Sequence, residues 1–73
     1  MKQPTRKQKS IVNAMQESAG RFFGLETVQG EVFNAQFRGE SPNYVLVYDR
    51  NDGDNYKLAK TSLAHFKLGD TQL

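Results

Sequence analysis

Apolar and polar residues alternate through the middle of this chain. Phe33, Ala35 and Phe37 interleave with Asn34, Gln36 and Arg38, a period of two that belongs to a strand with one face on a core. Residues 25–48 read as three successive antiparallel strands. Two segments meet at Gln29-Gly30, where glycine supplies the positive φ of a tight hairpin, and a third follows the turn residues Gly39 to Asn43. That third segment, Tyr44-Val45-Leu46-Val47-Tyr48, is apolar or aromatic without a break, which predicts a strand covered on both faces.

The flanks extend this pattern. Ile11, Ala14, Met15, Ser18 and Phe22 recur at helical spacing, predicting a helix over residues 6–19 with Thr5 or Ser10 as N-cap and Gly20 as its stop. Residues 21–28 form a first strand with Phe23, Leu25 and Thr27 on one face, and Gly24 leaves room for a bend or a close backbone. Residues 49–55 are a polar loop, 56–59 a short fourth strand and 62–68 a fifth, in which Ala64, Phe66 and Leu68 alternate against Leu63, His65 and Lys67. The tail, 69–73, is expected to be loose. The fold class is therefore mainly β, an N-terminal α-helix followed by a strongly bent five-stranded antiparallel sheet forming a small open barrel. Its core candidates are Phe23, Leu25, Phe33, Phe37, Leu46 and Phe66. Val45, Val47 and Tyr48 supply apolar surface beyond one subunit's needs.

Length changes the picture by limiting the core. A chain of 73 residues has room for one domain, and its own core leaves it marginally stable, so self-association is the expected supplement. There is no cysteine and only one histidine, His65, which removes disulfides, thiolate zinc sites and histidine clusters. No apolar run is long enough to span a membrane and no secretory leader is visible, so the expected setting is cytoplasmic.

Charge divides the chain into an arm, residues 1–9, a single domain, 10–68, and the tail. The arm holds Lys2, Arg6, Lys7 and Lys9 with no acid, whereas the remainder has six bases against eight acids. Such an arm is either a solubilising tail or an attractor of polyanions through counterion release.

Candidate chemistry is sparse. A calcium loop starting at Asp49 would need Gly at its sixth position and Glu at its twelfth, where Asp54 and Lys60 stand. His65 lacks a partner at ligand or catalytic spacing, and Ser62 lacks a base. The chain is read as a non-enzyme with no metal or cofactor. On residue type alone, plainer roles outweigh functional ones: Lys57 as a solvated lysine, Tyr44 and Tyr56 as core or interface aromatics, Gln36 and Arg38 as cover of the outer sheet face.

The residues nevertheless carry a resemblance. Ile11-Val12-Asn13-Ala14-Met15, then Gly30 with Phe33, Ala35 and Phe37, then Tyr56-Lys57-Leu58-Ala59 together resemble the Sm and Sm-like family, closest in pattern to its bacterial RNA-chaperone branch, Hfq. The likeness spans residues 11–68 in short matches and suits a divergent member, including a phage-encoded one. Ser41 stands where the family has an aspartate, Val45 where it has an asparagine, and Leu58 where it has a pore histidine. Asn43 falls at the position of a stacking phenylalanine, with Tyr44 as the nearest aromatic.

The resemblance implies a homo-oligomeric ring of five to seven subunits, hexameric by default, that binds single-stranded RNA, or DNA, at a cationic central pore and serves RNA processing or chaperoning. It implies Lys57 and Tyr56 in the pore loop, with Ser41, Asn43 and Tyr44 at the same rim. The basic arm would assist. Bottom-up, pairing the fourth strand of one subunit with the fifth of the next would remove exposed edges. The competing expectation is a monomeric SH3-like interaction module whose aromatics dock a peptide and which binds no nucleic acid.

Overall fold

The computed structural model describes residues 3–73. Lys2 of the basic arm therefore lies outside the described residues. Helix α1, Arg6–Glu17, is started by a capping box: the Thr5 hydroxyl accepts from the Gln8 backbone N–H at 3.1 Å, and the Gln8 side chain accepts from the Thr5 N–H at 2.8 Å. Ile11, Val12 and Met15 are its buried face, and burying such a side chain contributes about 1.5–3 kcal/mol. Beyond the helix, Gly20 takes a positive φ of 89° and turns the chain into the sheet. No described helix is long and apolar enough to cross a membrane.

The sheet has six antiparallel strands: β1 Phe22–Thr27, β2 Val32–Glu40, β3 Tyr44–Asp49, β4 Asp54–Ala59, β5 Leu63–Leu68 and β6 Thr71–Gln72. Their spatial order is β4-β3-β2-β1-β5-β6, so the sheet stays open. A single 3-10 turn, Lys60–Ser62, joins β4 to β5. The hairpin between β1 and β2 closes with the Gly30 N–H on the Thr27 carbonyl at 3.0 Å, and Gly30 holds the positive φ, 89°, that this loop demands.

Four of the six core candidates, Phe23, Leu25, Phe33 and Phe66, are buried, and Phe37 packs half-buried against them. Leu46 does not belong to the core: it is 44% exposed, while Val45 and Val47 are fully buried. The third strand thus has one covered face rather than two, and Val45 and Val47 serve this subunit's own core. The cause is the regular alternation of β3, fixed by the pairing of Val47 with inward Phe37. The next pair is Gly39 with Leu46, so an extra residue, Arg38, shifts the phase of β2 while Leu46 keeps to the outer face of β3 with Tyr44 and Tyr48.

A second irregularity corrects β5. Glu26 pairs with His65 but Thr27 pairs with Leu63, which places Leu63 inside and leaves Ala64 half-buried. The tail is a sixth strand. Gly69, φ 58°, occupies the first central position of a two-residue turn, the place where a type II′ hairpin needs positive φ. Phe66 and Leu73 then exchange backbone hydrogen bonds at 3.0 and 2.8 Å. The outer edge of β5 is therefore covered from Phe66 to Leu68.

Candidate nucleic-acid interface

The turn between β2 and β3 places three of the expected residues at one corner. The Ser41 N–H donates to the Tyr44 carbonyl at 2.9 Å, and the Asn43 carbonyl accepts from the Lys60 N–H at 3.0 Å. That second bond ties the β2–β3 turn to the end of β4. Ser41, Asn43 and Tyr44 are all exposed.

Lys57 meets this corner from β4. Register pairs Tyr44 with Ala59 and Leu46 with Lys57, so Tyr44 and Lys57 are diagonal neighbours on one face. The Lys57 ammonium lies 4.4 Å from the Tyr44 ring centroid, inside cation–π range. Tyr56 points the other way. It pairs with Val47 on the core side, its ring sits 5.1 Å from that of Phe33, and its hydroxyl donates to an Asp52 carboxylate oxygen. That bond, above all, pushes the Tyr56 phenol up to about 12 and holds Asp52 below its ordinary value. The structure thus joins Lys57, Tyr44, Asn43 and Ser41, and separates Tyr56 from them.

The described arm residues sit at the start of the helix, and Lys9 comes near this corner. Arg6, Lys7 and Lys9 lie in the first turn of α1, where Lys7 Nζ donates to His65 Nδ1 at 3.3 Å. Lys9 lines a shallow cleft of about 200 Å³ with Val12, Pro42 and Lys60. Lys60 itself pairs with Glu40 at 2.5 Å, the one ion pair among the described residues.

Residues not singled out in the sequence as binding candidates extend the Tyr44 face. The Arg38 guanidinium lies 5.5 Å from the Tyr48 ring centroid, Tyr48 lies 6.2 Å from Phe22, and the Arg50 guanidinium lies 5.2 Å from Phe22. Their signal was the polar face of β2, where Gln36 and Arg38 sit. What hid them was distance along the chain, because Phe22 and Arg50 reach Tyr48 only through strand pairing. Among strand positions on this face only Glu26, at the far end of β1, carries a carboxylate.

Among the described residues no group of three or more His, Cys, Asp or Glu side chains could hold a metal ion. Neither a protein-family model, nor a curated protein, nor a solved structure matches this chain.

Proposed function

We propose that this chain binds single-stranded nucleic acid, RNA before DNA, as an Sm-like ring protein acting in RNA processing or chaperoning. The observation that carries the reading is the Lys57–Tyr44 pair, an ammonium 4.4 Å from an exposed aromatic ring beside the free polar groups of Ser41 and Asn43. Such a corner offers one charge for phosphate, one plane for a base and amide groups for base edges. A ring repeats that corner with each subunit, so a chain of formal charge +2 presents a dense cationic annulus to one backbone.

The experiment is oligonucleotide binding by Lys57→Ala, with mass read in parallel by light scattering. The expected result is a ring mass of five to seven subunits for both proteins, and weaker binding by the variant. The salt slope should fall by about 0.7 for each lysine that contacts phosphate. Equal binding by the two proteins across salt overturns the pore reading.

The second reading, a monomeric small-barrel module that docks a peptide, is favoured by one observation. Strand β6 already covers part of the β5 edge, which a ring contact between β4 and β5 would use. A monomeric mass at micromolar concentration would decide for it.

A further inference from the structure

The outer face of the sheet carries two guanidinium groups with no carboxylate to neutralise them. Arg38 and Arg50 each lie over an aromatic ring, Tyr48 and Phe22 respectively, and among the described residues the only ion pair is that of Lys60 with Glu40. The two rings are themselves neighbours at 6.2 Å, tilted by 59°. Phe22 belongs to β1 and Tyr48 to β3, each paired with Gln36 of β2 between them. Three strands thus hold the two rings, so their spacing is set by the ladder and not by a loop.

A planar apolar group beside an unneutralised cation, repeated once, is a pattern that fits one ligand chemistry well. A nucleotide presents a flat base and an anionic phosphate at fixed separation. We propose that Phe22 and Tyr48, bracketed by Arg38 and Arg50, form a second site that stacks bases of a single-stranded nucleic acid, distinct from the Lys57–Tyr44 corner.

On binding, a base takes the place of each guanidinium over its ring, and the released guanidinium turns to the flanking phosphate. The exchange favours the complex, because a stacked base contributes more than an exposed cation–π contact, and the guanidinium gains a charge-assisted, bidentate partner. Gln36 sits between the rings with its amide nitrogen donating to the Gly20 carbonyl at 3.1 Å. That bond takes one of its two N–H donors, and because stacking is tolerant of base identity the site is expected to discriminate little among bases.

The corner and the strip lie along one strand. Tyr44 and Tyr48 are on the same face of β3, and four strand residues span about 13 Å. A stacked strand rises about 3.4 Å per nucleotide, so a mononucleotide is confined to one site, whereas an oligonucleotide of four or more can cover both.

This inference takes its ligand class from the reading above, and the test separates the two. The chain has three tyrosines and no tryptophan, so Tyr44→Phe with Tyr56→Phe leaves Tyr48 as the sole fluorophore. Titration with 24-nucleotide oligo(U) is expected to quench that fluorescence. In a second arm, Phe22→Leu with Tyr48→Leu keeps apolar cover on the sheet and is checked for folding by circular dichroism. Its affinity for the 24-mer should drop about tenfold, while uridine monophosphate, which can still bind through Lys57 alone, loses less. Lack of quenching, or wild-type affinity of the folded leucine variant, overturns the strip while a Lys57→Ala loss leaves the corner standing. Quenching by a proline-rich peptide and not by oligo(U) overturns it in favour of a protein partner.

Discussion

Gln8 and Leu63 stand fifty-five residues apart and share a buried hydrogen bond, the glutamine amide donating to the Leu63 carbonyl at 3.2 Å. The same nitrogen donates to the Thr61 carbonyl at 2.9 Å. One side chain therefore caps its own helix and fastens that helix to the corner entering β5.

Replacing it with an apolar side chain of similar size leaves those carbonyls unpaired. Gln8→Leu should cost about 1–3 kcal/mol, read as a lower urea midpoint at unchanged m-value. Wild-type stability would mean that water replaces the amide at no loss.

The inverted order of β3 gives a contrast between two apolar residues. Phe33→Ala, at a buried position, should destabilise by about 3–5 kcal/mol through transfer and cavity terms, which is a large share of a small domain's stability. Leu46→Ala, on the exposed face, should change the stability of an isolated subunit by no more than about 0.5 kcal/mol. Equal losses in urea unfolding would contradict the outward placement of Leu46.

The bond between Tyr56 and Asp52 makes stability fall at both ends of the pH scale. Asp52 is held below its ordinary 3.8 by that bond, so its contribution is present above 3.8 and is lost as pH drops through the lower folded value. Tyr56 is raised from 10.0 to about 12, so its contribution is full below 10 and disappears as pH climbs through about 12. Asp52 is exposed and the half-buried Tyr56 ring brings only its hydroxyl to it, so solvent screens the bond and the effect is modest. Thermal melts of wild type and Tyr56→Phe should differ most near neutrality and converge at either extreme. A gap that stays constant with pH would place the cause elsewhere.

The arm predicts a salt effect. If Lys7 and Lys9 each contact a phosphate, Lys7→Gln with Lys9→Gln should flatten the dependence of log affinity on log salt for a single strand by about 1.4, or 0.7 per contact. An unchanged slope would assign both lysines to the protein itself, with Lys7 serving His65.

Much of this architecture was legible where one face is apolar and the other polar. Phe33, Ala35 and Phe37 announce β2, and Phe23, Leu25 and Thr27 announce β1, because alternation records which way each side chain points. Tyr44 to Tyr48 could not announce its inward face, since all five residues are apolar or aromatic and the choice is made by pairing across strands, where Val47 meets Phe37. The β6 hairpin was hidden for a different reason. Thr71 and Gln72 are too few and too polar to show a period, and backbone pairing alone makes the strand. Of the candidate corner, Lys57 and Tyr44 could be named but not joined, since their contact depends on a diagonal register. Tyr56 sits next to Lys57 in sequence and therefore faces the opposite side of the sheet.

Strand β6 turns any assembly through the β5 edge into a strand exchange. A tethered segment competes at an effective concentration on the order of millimolar, far above that of a second chain at micromolar levels. The incoming strand can still win, because β4 offers six residues where β6 offers two. Self-association should then rise steeply with protein concentration and slow to the rate at which the tail lets go. Deleting residues 69–73 should shift it to lower concentration in sedimentation velocity, whereas a deletion variant that stays monomeric at every concentration would make β6 a plain edge cover.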